Sequence, residues 1–293
     1  MGARDTLSDA PLASPARDAG LLELSPRDFD RARRIIFNLA GIDLNTNKRD
    51  MVYSRLLRRL RAHGVASFGQ YLDRLETDDR FADAERQQFV NSLTTNLTSF
   101  FREQHHFPVL ADLLRRGLNG QPARIWCAAS STGEEAYSIA MTVVETLGDA
   151  SGARILATDI DTQVLASARS GVYREPAIQA CGTERARRFF LRGTGANEGM
   201  ARVRPELARQ VEFGQLNLLE PQWPLLNRLG RPVDAVFCRN VLIYFNRPTQ
   251  RAVLERIAAV LRPGGLLFVG HSESFTDCRE WFALRGKTVY ERL

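Results

Sequence analysis

Groups able to do chemistry cluster in a few short stretches of this chain, each beside a run of apolar residues. Ala128-Ala129-Ser130-Ser131-Thr132-Gly133-Glu134-Glu135 follows one such run. Its small residues read as a tight loop, and Ser131-x-x-Glu134 and Thr132-x-x-Glu135 read as capping boxes opening a helix. The loop lacks G-x-G-x-x-G and carries two acids where a dinucleotide fold cradles pyrophosphate. Phosphate is therefore disfavoured there and a cationic ligand favoured. Asp159 ends the next apolar run, 26 residues after Gly133. An acid at that place accepts hydrogen bonds from both hydroxyls of a ribose. A ribose acceptor, no phosphate cradle and nearby acids describe S-adenosylmethionine, a nucleoside bearing a positive sulfonium. Glu134 and Glu135 also have a plainer reading, as charges that favour a helix N-terminus.

Two further stretches fit the same ligand. Asn217-Leu218 follows the run Val211–Phe213, with an amide to read an adenine edge and a leucine to pack on its face. Arg239-Asn240 ends another run, and Tyr244 lies one helical turn beyond. Leu261-Arg262-Pro263-Gly264-Gly265 before an apolar strand is typical of class I methyltransferases, although Pro-Gly-Gly serves any tight helix-to-strand turn. Other tempting groups carry less weight. Gly270-His271-Ser272-Glu273-Ser274 lacks the closing glycine of a hydrolase nucleophile elbow. His105 and His106 are adjacent, so on a helix they point apart and do not share a metal by themselves. No metal is expected. The four cysteines, Cys127, Cys181, Cys238 and Cys278, form no C-x-x-C pair, which suits reduced core residues in a cytoplasmic protein.

The elements that position these groups follow from periodicity. From about Arg124, short apolar runs alternate with helical patterns: Arg124–Ala128, a helix from Glu134, Arg154–Thr158, a helix from Thr162, Val233–Cys238, a helix from Thr249, and Gly265–Gly270. That alternation predicts a parallel sheet of βαβ units. Phe282–Leu284 and Val289–Tyr290, joined through Arg285-Gly286-Lys287, predict an antiparallel hairpin at one edge. The Gly-rich piece at about 188–213 predicts a small β excursion. Upstream, Ser25-Pro26-Arg27-Asp28 starts a helix that Gly41 stops. A second helix spans about Asn47 to His63, a third begins at Ser67, and a fourth runs from near Phe81 to about Leu93. The organisation expected is a disordered tail at 1–22, a helical domain at 23–93, a linker at 94–106 that contributes to the cofactor site, and an α/β domain at 107–293. The tail opens on Met1-Gly2-x-x-x-Thr6, a loose match to an acylation pattern, but it is short and charged and lipidation is not expected. No signal peptide and no membrane span are visible.

The chain has 293 residues, 44% apolar and 25% charged, which excludes general disorder and fibrous classes. Its 40 basic and 34 acidic residues leave a net charge of +6. The excess is concentrated: Lys48, Arg49, Arg55, Arg58, Arg59 and Arg61 face one acid, Asp50. On the helix from about Asn47, Val52, Leu56 and Leu60 recur every four residues and Leu57 widens the stripe. Arg55, Arg58, Arg59 and Arg61 fall on the other side. A single arginine there is readily a solvated charge, whereas four together favour docking of an acidic partner.

Taken together, LTTNLTSFFRE at 93–103, RIWCAASSTGEEAYSIAM at 124–141, TDIDTQVLASARSGVY at 158–173, FCRNVLIYF at 237–245 and GHSES at 270–274 resemble the CheR family of chemotaxis receptor methyltransferases. With the helical region from about Asp28, the resemblance covers nearly the whole chain; one departure is Ala136, where the family usually has proline. The resemblance implies a class I S-adenosylmethionine-dependent fold, a Rossmann-like α/β sheet with an N-terminal all-α domain and a small antiparallel β-subdomain. It implies methyl esterification of glutamate side chains on chemoreceptor cytoplasmic helices, with S-adenosylhomocysteine as product. Cofactor contacts would come from Asn96, Thr98, Arg102, Glu135, Asp159, Asn217, Leu218, Arg239 and Asn240, with Arg102 and Tyr244 flanking the methyl. The region around Gly193-Thr194-Gly195 resembles the β-subdomain by which some members dock a receptor's C-terminal tether peptide. Two alternatives are a nucleic-acid methyltransferase and a non-catalytic scaffold that binds the cofactor. The basic patch lacks interleaved aromatics for base stacking, no N-P-P-Y-type motif follows the fourth strand, and the presumed pocket residues are all present, so neither alternative is favoured.

Overall fold

The computed structural model describes residues 22–116, 121–148, 152–230, 232–275 and 278–293. The tail expected at 1–22, with its acylation pattern, lies outside them apart from Leu22. Ser25 Oγ accepts the Asp28 N–H and Pro26 takes the first helical position, so α1 runs from Pro26 to Ala40. Gly41 ends it at φ +70°, a left-handed conformation that costs glycine little. A 3-10 turn at Thr46–Lys48 precedes α2 (Arg49–His63). Ser67 caps α3 (Phe68–Thr77), and Asp78 caps α4 (Asp79–Leu93) by accepting the Phe81 N–H at 3.0 Å. That cap starts α4 two residues before Phe81. Val52, Leu56 and Leu60 of α2 are fully buried with Ile36, Phe68, Tyr71, Leu72 and Phe89.

After α5 (His106–Arg115) come β1 (Ala123–Cys127), α6 (Glu134–Leu147), β2 (Ala153–Asp159) and α7 (Thr162–Ser170). An excursion follows: β3 (Val172–Arg174), α8 (Glu175–Gln179), α9 (Thr183–Phe189), β4 (Phe190–Arg192), β5 (Met200–Val203) and α10 (Pro205–Ala208). The chain then continues through β6 (Val211–Gln215), β7 (Val233–Phe237), α11 (Arg247–Val260), β8 (Leu261–Phe268), β9 (Phe282–Gly286) and β10 (Val289–Arg292). The main sheet has the order β6-β2-β1-β7-β8-β10-β9. Its first five strands are parallel and the terminal hairpin is antiparallel. Successive β1 side chains face opposite layers: Ile125 and Cys127 pack with Ala136, Tyr137 and Met141 of α6, whereas Trp126 packs with Val253, Leu254 and Ile257 of α11. No helix among the described residues is long and apolar enough to cross a membrane.

Three expected features are built differently. The small sheet has the order β3-β5-β4, so it recruits Val172–Arg174, and Val211–Gln215 instead pairs with β2 in the main sheet. Spacing within 188–213 could not reveal a strand partner more than twenty-five residues upstream of β5. Leu261–Gly265 is a bulged start of β8 and not a connection before it, since Val233 faces Leu261 while Ala235 faces Leu266. A Cβ on Gly265 would lie 2.9 Å from Arg262 O and 3.0 Å from Asp234 O. The terminal hairpin turns at Lys287 and Thr288, with φ of +38° and +66°.

The basic helix is also partly corrected. Glu85 is 1% exposed. It accepts from Arg59 Nε at 2.7 Å, Arg59 Nη2 at 2.6 Å and Tyr71 OH at 2.7 Å, and lies 2.8 Å from His63 Nε2. Burial alone would raise the Glu85 carboxyl, but hydrogen bonds from Arg59, Tyr71 and His63 bring it below the ordinary value. Arg55 Nη1 donates to Thr94 O at 2.5 Å. Arg55 and Arg59 therefore brace the helical domain from within, and Arg58 and Arg61 are the exposed pair of the four. Periodicity assigned all four to one side; it could not show that α4 puts an acid beneath one of them. Replacing Glu85 by alanine leaves Arg59 and Tyr71 without their acceptor. Denaturant unfolding of E85A is expected to show a loss of roughly 3–5 kcal/mol.

Candidate active site

In an open parallel sheet, ligands bind off the carboxyl ends of the strands where connections leave in opposite directions. Here that place lies between β1, whose chain crosses to β2, and β7 on its other side. A cavity of about 300 Å³ opens there, at the small end of the range for ligand sites. Asn96, Thr98, Arg102, Glu135, Asp159, Asn217, Leu218, Arg239, Asn240 and Tyr244 all line it. Five separate chain segments thus converge because four parallel strands end on one edge and the linker from α4 crosses above them. The four arginines of α2 do not line the cavity, nor does Glu134.

Asp159 ends β2 and is 8% exposed. Its Oδ2 accepts the Ser131 N–H at 2.8 Å and its Oδ1 the Asp161 N–H at 3.0 Å. Burial pushes this carboxyl up to about 6, against the pull of those two N–H groups. Each oxygen has a second lone pair for a ligand hydroxyl. Ser131, at φ +48°, also donates its Oγ–H to Asn96 O at 2.9 Å, closing the β1–α6 loop onto the linker. With the Ser131 N–H on Asp159 and the Gly133 N–H on Ser130 O, this loop turns inward and offers no cradle for phosphate. A carboxylate facing the cavity beside Leu218 and Ile160 fits a nucleoside.

The two capping boxes do not form. Gly133 is the N-cap of α6 at φ +99°, and a Cβ there would meet Ala168 Cβ and Tyr173 Oη at 2.9 Å. Thr132 Oγ1 donates to Glu134 Oε2 at 2.6 Å, away from the cavity. Glu135 does reach the cavity, but its Oε2 accepts Arg239 Nη1 at 2.6 Å and its Oε1 accepts the Cys127 thiol at 3.3 Å. The acid expected to welcome a cation is already paired within the chain. Arg239 Nη2 in turn donates to Arg102 O at 2.6 Å and lies 3.4 Å from Glu103 Oε2.

Several other groups are tied to the protein. Asn217 Nδ2 donates to Leu39 O at 2.8 Å while its Oδ1 accepts the Leu219 N–H at 3.0 Å, so the amide expected to read an adenine edge fastens α1 to the sheet. Asn96 Nδ2 and Thr94 Oγ1 both donate to Asp161 Oδ2 at 2.8 Å. Arg102 Nη1 donates to Leu97 O at 2.8 Å. His105 and His106 do not point apart: α5 begins only at His106, and their rings lie 4.2 Å between centroids. With Glu103 they bring potential ligand atoms within 4.8 Å of one another, and the Arg239 guanidinium is the cation beside that carboxylate.

Some residues of the site escaped sequence reasoning. Lys48 and Met51 line the cavity from the helical part. Asp161 was legible as the acid immediately before the helix from Thr162; its Oδ1 accepts the Gln163 and Val164 N–H groups. Glu103 and Glu273 had no local signal sufficient to show their roles, because most of their partners lie far along the chain. Glu103 Oε1 accepts from His271 N at 3.2 Å and His271 Nδ1 at 3.1 Å. Burial would raise the Glu103 carboxyl; His271, the Arg239 charge and Asn240 bring it instead to about 2. A carboxyl held below its ordinary 4.5 stabilises the fold above that pH and loses the contribution as pH falls toward 2. The stability gap between wild type and E103Q, measured by denaturant unfolding, should narrow steadily from pH 5 to pH 3.

The family model for the CheR all-alpha domain matches residues 27–94, and that for the CheR SAM binding domain matches residues 96–291. A chemotaxis protein methyltransferase of Escherichia coli K12 is 52% identical over 270 residues, covering 92% of this chain and 92% of that protein. Chemotaxis protein methyltransferase 2 of Pseudomonas aeruginosa is 50% identical over 284 residues, covering 96% of this chain and 99% of that protein. With both family regions in order and half its residues shared over nearly its full length, the chain belongs to the CheR methyltransferase family.

Proposed function

We propose that this protein transfers a methyl group from S-adenosylmethionine to glutamate side-chain carboxylates on chemoreceptor cytoplasmic helices, forming methyl esters that serve sensory adaptation in the cytoplasm. The observation that carries the reading is the single cavity at the strand tips in which the ribose-type acid Asp159, the Glu135–Arg239 pair, Arg102 and Tyr244 meet. When bound, the cofactor supplies an electrophilic methyl on a sulfonium, which a carboxylate oxygen accepts as the carbon–sulfur bond breaks and the electron pair leaves with the neutral thioether.

The protein's part is binding, orientation and exclusion of water. A glutamate carboxylate is ionised at neutral pH, with an ordinary pKa of about 4.3, so no residue has to remove a proton. Asp159 would hold the ribose hydroxyls, and Leu218 would pack against the base. Arg102, half-buried at the cavity with one nitrogen on Leu97 O, would hold a carboxylate. Tyr244 would flank the methyl together with Arg102. Asn96, Thr98, Asn217, Arg239 and Asn240 would complete the cofactor site, several of them by backbone or by holding the wall, since their side chains are engaged elsewhere. The β3-β5-β4 sheet would dock a receptor tether peptide where one exists. Alignment of this kind supplies about 7–11 kcal/mol in well-oriented reactions.

The exposed Arg58 and Arg61, with Lys48 at the cavity, would meet an acidic receptor helix. Incubation with methyl-labelled cofactor and receptor should give protein-bound label that alkali releases as methanol. Base-stable label would point instead to nucleic acid or an amine, and no label to a scaffold. Asp159→Ala should weaken cofactor binding about 10–100-fold, from hydrogen bonds to a charged group worth roughly 1.5–3 kcal/mol each. Because ribose hydroxyls donate to the ionised acid, wild-type affinity should fall as pH drops below about 6, and D159N should lose that dependence; isothermal titration reads both. R58E with R61E should raise the receptor KM several-fold and leave cofactor affinity unchanged.

A further inference from the structure

Glu273 does not line the cavity, yet its carboxylate organises one wall of it. It is 2% exposed. Five backbone N–H groups converge on its two oxygens. Oε2 accepts from Gly270 at 2.5 Å and Asn240 at 2.9 Å; Oε1 accepts from Leu242 at 2.8 Å, Val241 at 3.0 Å and Ile243 at 3.3 Å. Four of the five belong to consecutive residues, 240–243. Consecutive N–H groups that turn inward together form a concave nest for an anion. Asn240 makes the nest possible by adopting φ +58°, a left-handed conformation uncommon for a residue with a side chain.

The carbonyl side of the same loop is held from the other direction. Gln250 Nε2 donates to Leu242 O and Phe245 O, each at 2.9 Å, and Tyr244 O accepts the Asp43 N–H at 2.8 Å. Asn240 Nδ2 lies where a Gly270 Cβ would come within 2.2 Å, so the two segments interlock without room for a side chain at Gly270. Within the loop, Asn240, Val241, Ile243, Tyr244 and Phe245 are the residues that line the cavity. A buried carboxylate outside the site thus sets the course of the backbone that carries them.

We infer that Glu273 is a positioning residue for methyl transfer: it holds the 240–243 backbone so that Asn240 and Tyr244 stand at the reacting end of the cavity. The inference rests on the methyl-transfer reading for its kinetic consequence, but its structural half stands apart from it. Glu273→Gln keeps the side-chain shape and replaces one acceptor oxygen by a donor that faces backbone N–H groups. A displacement of about 1 Å at a reacting centre costs on the order of 100-fold in rate. E273Q should lower kcat about 10–100-fold. Cofactor affinity should change no more than about threefold, under half a decade in Kd, because Asp159 ends β2 and Leu218 follows β6, both outside the 240–243 loop. Hydrogen exchange of the amides at 240–243 should accelerate at least roughly tenfold while exchange in β1 and β2 stays as in wild type. If E273Q does not fold, Glu273→Asp, which keeps the charge but shortens the reach, is measured in the same way, and a smaller loss of kcat accompanied by a smaller acceleration of exchange at 240–243 is expected. Unchanged kcat, unchanged exchange at 240–243, or a loss of kcat matched by equal losses of cofactor affinity and of protection across the sheet would each overturn the inference. Were wild type to form no methyl ester, the exchange measurement would still decide whether Glu273 holds the loop.

Discussion

Loops at the ends of parallel strands have no ladder to satisfy their backbone N–H groups, and those that line a cavity cannot rely on water on both sides. This protein meets the constraint with buried carboxylates. Asp159 accepts from Ser131 and Asp161, Asp161 accepts from Gln163 and Val164, and Glu273 accepts from five residues. An unpaired buried N–H costs about 1–3 kcal/mol, so each acid decides the path of a whole loop. The cavity's shape follows from three side chains, two of them readable as helix or ribose acids and one not.

The same wall carries a continuous run of charge. Glu135 pairs with Arg239, Arg239 reaches Glu103, and Glu103 holds His271. Arg239 is 4% exposed, so the ion pairs are buried, and their worth is more in fixing geometry than in net stability. With Glu135 answered inside the chain, the sulfonium of the proposed cofactor would meet no free acid pair there. Arg239 also holds Arg102 O, which couples the linker to the strand-tip loops.

The linker is where the two parts of the protein become one site. Thr94 and Asn96 bond Asp161, Ser131 bonds Asn96 O, Gln87 Nε2 donates to Ile160 O at 2.9 Å, and Asn217 bonds Leu39 O. Helical-domain residues Lys48 and Met51 consequently close the cavity that the sheet opens. The excess positive charge of the sequence reaches the same place. Arg55 and Arg59 support the helical core, while Lys48, Arg58 and Arg61 are exposed.

Local rules carried much of the reading, and their limits are physical. Ser25-Pro26, Gly41, Ser67 and Gly64 mark helix ends because a cap is a matter of a few consecutive residues. Alternating apolar runs announce a parallel sheet, and strand tips announce Asp159, Arg239 and Asn240, because a ligand must bind where strands end. Whether a polar side chain at such a tip is free is a different question. Asn217, Glu135, Arg55 and Arg59 all have partners more than twenty-five residues away. Glu273 and Glu103 acquire their roles only when distant loops are brought against them. By itself the sequence determined most of the elements, the family and ten of the residues that meet at the cavity, since these depend on short-range pattern. Only the tertiary structure decided which of those side chains face a ligand and which are spent holding the protein together, because a hydrogen bond is settled by distance in space and not by separation along the chain.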